Sequence, residues 1–128
     1  MGEGIDVDEE ELRSLLLRLI EPFGPSFELV LELLMRQVLG DKSITGTLIN
    51  DPRSFYEALA HAVGSEGRVE ALVSLASISF RRESVSTTPK RFVEMLKEGD
   101  RENVLLILSR VLEMARGIRR SMIEGVEG

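Results

Sequence analysis

Between Asp100 and Glu124 apolar residues recur at spacings of three and four along two separate seams. One seam runs Val104, Ile107, Val111, Met114, Ile118 and Met122; the other runs Leu105, Leu108, Leu112 and Ala115, with Leu106 adding breadth. At 100° per residue the two seams sit about 100° apart, so a helix here has to be buried on more than one side. Other helices must therefore surround it. Asp100 can cap it and Gly125 begins a fraying tail. Either both seams are internal, or the first one, Val104, Ile107, Val111, Met114 and Ile118, is a dimer helix offered to a second copy.

The rest of the chain reads as helices between breakers, with no sustained alternation of period two. Helix one is expected from about residue 8 to 21, with Asp8 as cap, Glu9 to Glu11 in the first turn and Pro22 closing it. Helix two follows the turn FGPS, with Ser26 as N-cap and Gly40 beyond its end. Phe27, Val30, Leu31, Leu34 and Val38 make one stripe and Leu29 and Leu33 extend it, so this helix should be central as well. The segment DKSITGTLIN, 41 to 50, has small and β-branched residues and reads as a loop, with one short extended piece at most.

Helix three starts at Asn50 or Asp51 with Pro52 in its first turn and stops at Gly64; helix four runs from about Glu66 to Arg82. SVSTT links it to helix five, which Thr88 caps, Pro89 starts and Gly99 ends. The expectation is an all-α, single-domain bundle of about six helices ending in a long one, with flexible tails at 1–7 and 125–128. One domain of 128 residues has difficulty centring two helices that are apolar nearly all round. A homodimer is the favoured solution and a compact monomer with two inner helices the other.

Composition sets limits on function. The chain has no cysteine, which removes disulfides, thiolate nucleophiles and cysteine zinc sites. A reducing cytoplasm is the expected compartment, and the acidic start MGEGIDVDEEE lacks the marks of a signal or transit peptide. The longest uncharged apolar runs, such as ALVSLASISF, are about half the ~20 residues of a membrane span. Of 16 basic residues 13 are arginine, a slight pointer to a thermophilic source. The net charge is −6, yet residues 1–64 alone carry 5 basic against 12 acidic side chains. Any anion-binding surface is therefore expected in the second half.

Chemistry-bearing patterns are few. NDPRSFYEALAHAVG holds the only tyrosine and the only histidine, Tyr56 and His61, with Glu57 between them. The helical wheel puts Phe55, Leu59, Ala62 and Val63 on the core side and Glu57 and His61 on the wet side, where they form an i, i+4 pair. No nucleophile accompanies them. One histidine without cysteine leaves no transition-metal set, and neither G-x-G-x-x-G nor a Walker loop is present, so no cofactor, metal or catalytic residue is expected.

The exception to charge rules is FRRESVSTTPKRF. Arg81 and Arg82 suit a helix C-terminus, but Lys90 and Arg91 occupy a first turn, where the dipole disfavours cations. With Thr88 they form a candidate site for phosphate or an acidic partner, set against the plainer reading in which they are solvated or paired with Glu94. Arg116, Arg119 and Arg120 make a second cluster, which suits a helix C-terminus, and nucleic acid is an improbable partner for so acidic a chain.

Asp51, Pro52, Phe55, Glu57, Ala58, Leu59 and Gly64, followed by another apolar helix, form a pattern that resembles small archaeal all-helical domains grouped as Nitrosopumilus-type output domains. The resemblance covers about a third of the chain, and Val63-Gly64-Ser65-Glu66-Gly67 departs from the family's Phe-Gly-x-Gly-Ala. It implies a helical interaction module and carries over no catalytic residue. The chain is thus expected to be a non-enzymatic, homodimeric interaction or signalling output module, with a regulator binding an anionic ligand or nucleic acid as the alternative.

Overall fold

The computed structural model describes residues 7–79 and 87–127, with side chains described for 7–78 and 87–117. Seven α-helices are present among the described residues: α1 Glu9–Ile20, α2 Pro25–Leu39, α3 Ile44–Asn50, α4 Pro52–Val63, α5 Glu66–Ala76, α6 Pro89–Glu98 and α7 Arg101–Glu127. Short 3-10 turns follow α1 at Glu21–Phe23 and α5 at Ser77–Ser79. No strand occurs among the described residues. The all-α single-domain bundle is therefore the architecture, and no described helix is long and apolar enough to cross a membrane.

Local chemistry explains the helix starts. Asp8 accepts from the backbone N–H of Glu10 at 2.9 Å and of Glu11 at 3.3 Å, satisfying two donors that α1 cannot. Thr88 accepts from Arg91 N at 3.2 Å and Asp51 from Ser54 N at 3.3 Å. The start of α2 differs from expectation: Gly24, at φ 97°, is the cap and Pro25 the first helical residue. Proline there gives up no hydrogen bond, so the helix begins before Ser26.

Asp51 also accepts from Ser54 Oγ at 2.7 Å, and that bond is the main reason its carboxyl is held below the usual range. A depressed folded value means the carboxylate stabilises at neutral pH and loses that effect as pH falls through the carboxylate range. Asp51→Ala is expected to lower stability by about 1 kcal/mol at pH 7. Urea unfolding of both proteins should show the gap closing at acid pH.

The segment 41–50 is not a loop, because α3 occupies Ile44–Asn50. Ser43 caps it, accepting from Gly46 N at 3.0 Å while donating to Glu9 Oε2 at 2.7 Å. Thr45, Thr47 and Leu48 turn inward, and Thr47 Oγ1 donates to Ser43 O at 2.7 Å. Burial outweighs the weak propensity of β-branched residues. Gly46 sits close to α1: a Cβ there would lie 3.3 Å from Glu9 Oε2 and from Ser43, so those side chains would have to give by a few tenths of an ångström.

Both ends of the described chain exceed expectation. Val7, assigned to a tail, is 8% exposed and belongs to the core. It sits at N′ with Leu12 at N4, the two positions of a hydrophobic staple, which was the available signal. At the other end helical backbone continues through Glu127, past Gly125. The expected fourth helix is shorter: α5 stops at Ala76, where Ser77 Oγ donates to Ser74 O at 2.9 Å and competes with helical bonding. Phe80, Arg81 and Arg82 lie outside the described residues.

The deepest side chains are Leu12, Val69, Val93, Leu96 and Val104, contributed by α1, α5, α6 and α7. α7 packs on α1, α3 and α6, whereas α2 rests mainly on α4. This distribution corrects two expectations. In α7 both seams are internal as far as they are described: Val104, Leu105, Ile107, Leu108, Leu112 and Ala115 are all buried, and Val111 and Met114 pack against the same core. In α2 only Leu31, Met35 and Leu39 are buried, so this helix is peripheral, not central.

Candidate functional site

Helix α2 presents three rows of side chains. Leu31, Met35 and Leu39 form the row that enters the core. Beside it lies Val30, Leu34, Val38, with Leu34 half-buried, and beyond that Leu29 and Leu33. Leu29, Val30, Leu33 and Val38 are 59, 51, 57 and 45% exposed. Single exposed leucines are unremarkable on protein surfaces, but an apolar band along one 15-residue helix is not. The charges on its border neutralise each other, since Arg36 Nε reaches Glu32 Oε2 at 3.3 Å across one turn. Leu29, Leu33 and Val30 lie within about 100° of one another with Gln37 among them, while Val38 stands half a turn from Leu29. The outer face is thus Leu29, Val30 and Leu33, locally uncharged and apolar apart from Gln37.

Two ties hold the helix behind this face in place. His61 Nε2 lies 2.9 Å from Gln37 Oε1, joining α4 to α2, and Phe23 and Phe27 stack at 5.1 Å between ring centroids at the preceding corner. His61 is exposed, as the wheel requires, but its partner is Gln37 and not Glu57. Glu57 pairs with Arg53 at 3.6 Å instead. Tyr56 is half-buried where α4, α5 and α6 meet; burial first, then the Glu66 charge, raises its hydroxyl pKa. Glu66 accepts from Lys97 Nζ at 2.7 Å, which raises the lysine pKa. Tyr56, Glu57 and His61 therefore serve separate contacts.

The predicted anion site is only partly within view. Thr88 Oγ1 is engaged in capping, Arg91 Nη1 lies 3.3 Å from Glu94 Oε1, and Lys90 is exposed. Arg81 and Arg82 fall outside the described residues. With Thr88 and Arg91 partnered in the chain itself, millimolar phosphate is expected to leave the melting temperature unchanged. A rise that vanishes in Lys90→Ala/Arg91→Ala would restore the anion site. Arg116 makes a bidentate pair with Glu11, tying α7 to α1, so it serves the bundle.

The candidate dimer helix fares differently from α2. Val104 and Ile107 are 0 and 7% exposed inside one chain, and a second copy has no access to them without unfolding the first. Val111 and Met114 keep partial exposure, and the side chain of Ile118 lies outside those described. The feature that sequence reasoning missed is which of the two all-round apolar helices would be left outside. The signal was connectivity: α7 is contacted by helices from three parts of the chain, α2 chiefly by one. Comparison with known proteins finds no matching family model, no matching curated protein and no matching solved structure.

Proposed function

We propose that the protein is a non-enzymatic helical interaction module that associates with a second copy of itself through the outer face of α2. The observation that carries this reading is the exposure of Leu29, Val30 and Leu33 on one face of the helix. Removing apolar surface from water is worth roughly 25 cal/mol per Å². A patch of three large side chains therefore favours association.

The chemistry of the face points to self-association. Each copy carries a net charge of −6, concentrated in its first half, so random contacts between copies are repulsive. On the α2 face that repulsion is locally weak, because Glu32 and Arg36 cancel. Interface centres are depleted of charge and rich in apolar side chains, as this face is. Two α2 helices related by a twofold axis bring the same residues together from both sides, which is how most homodimers close.

Sedimentation or light scattering at micromolar concentration tests the proposal. The expected mass is twice 14.3 kDa. A mass of one chain across the micromolar range overturns it.

A further inference from the structure

We infer that a second site, separate from the outer face of α2, binds a neutral single-chain amphiphile, a lipid-like molecule whose head group is a hydroxyl or ester. A cavity of about 610 Å³ lies between the inner faces of α1 and α2 and reaches to α4, α5, α6 and α7. Sites for small organic ligands typically measure ~300–1,000 Å³, with apolar walls and a few placed polar groups. Leu16, Leu31, Leu72, Phe92 and Val111 are among its walls. Leu29, Val30 and Leu33 are not; the two sites share only the Glu32–Arg36 pair at the border of the dimer face.

The space opens to solvent on one side, where Leu17 and Phe23 are exposed, but its walls are mainly apolar and give water few of the two to four polar partners it needs. The walls offer one buried hydroxyl that lacks a partner. Thr87 lines the cavity, and its Oγ1 is buried without a hydrogen bond, unlike the hydroxyl of Thr47, which donates to Ser43 O. An unmade hydrogen bond at a buried hydroxyl is a cost that a ligand head group removes.

Charge narrows the class further. Arg13 and Arg36 stand on the lining against Glu28, Glu32 and Asp41, a net of one negative charge, and Arg36 is already paired with Glu32. A carboxylate would face this acidic rim and leave water without a buried cation to receive it. An alcohol or ester meets no such penalty and satisfies a threonine hydroxyl.

Nile red, a neutral apolar dye, provides the probe. Its fluorescence is expected to rise with the native protein and to be displaced by decanol at about tenfold lower concentration than by decanoate. Ala76→Phe, which fills the cavity from α5, should abolish dye binding. Thr87→Val keeps the shape and removes the hydroxyl; it should leave dye binding unchanged and weaken decanol about fivefold. Leu29→Glu/Leu33→Glu should bind dye like the native chain, which separates this site from the dimer face. Absence of a fluorescence rise, equal displacement by decanoate, or unchanged decanol affinity in Thr87→Val overturns the inference. If circular dichroism shows Ala76→Phe unfolded, Thr87→Val decides alone.

Discussion

Leu29→Glu/Leu33→Glu is expected to sediment as a folded monomer under conditions where the native chain is a dimer. Each substitution places a carboxylate at the centre of a twofold interface, where it faces its own copy, so the charge is both desolvated and repelled. Central anchors in interfaces commonly contribute 2 kcal/mol or more, and roughly a 30-fold loss of affinity per site follows. Stability of the single chain should change little, about 0.5 kcal/mol at most, because both side chains are more than half exposed and glutamate is a good helix former. The corresponding change on the other candidate helix has a different outcome: Ile107→Glu buries a charge in the core and should unfold the chain. If the α2 variant still sediments as a dimer, α2 is not the interface.

Much of this architecture is legible in the sequence because helix punctuation is local. Asp8, Asp51 and Thr88 cap the helices they were expected to cap, and Gly40, Gly64 and Gly99 all adopt positive φ at the ends. These are decisions taken within a few residues. α3 was hidden because its stability comes from outside it: Ser43 bonds Glu9, 34 residues away, and Thr45, Thr47 and Leu48 find a core made by other helices. Its β-branched residues and Gly46 say nothing of that. Val7 was missed for the opposite reason, since its staple position was readable but lay beyond the acidic run that set the boundary.

The two broad apolar helices show where local reading stops. Leu29 and Leu33 widen one stripe as Leu105 and Leu108 widen another, and periodicity treats both helices as candidates for the centre. The conflict was visible, since one small domain has difficulty surrounding both. Its resolution depends on chain path: α1, α3 and α6 pack around α7, while α2 leaves the corner at Glu21–Phe23 and lies across α4. The same path opens the cavity between α1 and α2, whose lining comes from six helices besides α3. No spacing along the chain encodes a space of that kind.

Leu105→Ala and Ile107→Ala, one on each seam of α7, are each expected to lower stability by roughly 2–5 kcal/mol. Both side chains are buried, at 3 and 7% exposure, so each truncation loses apolar transfer energy and leaves a void in helices that cannot fully collapse around it. Domains of this size have about 5–15 kcal/mol in total, which makes either loss a large fraction. The concentration dependence of unfolding carries the sharper information. A seam that packs inside one chain loses its stabilisation equally at any protein concentration. A seam that packs on a partner loses it in proportion to dimer formation, because binding stabilises the folded state by mass action. Urea denaturation at two concentrations tenfold apart should therefore show the same loss for Leu105→Ala and Ile107→Ala at both. A loss for Ile107→Ala that grows at the higher concentration would return the first seam of α7 to the dimer interface and remove that role from α2.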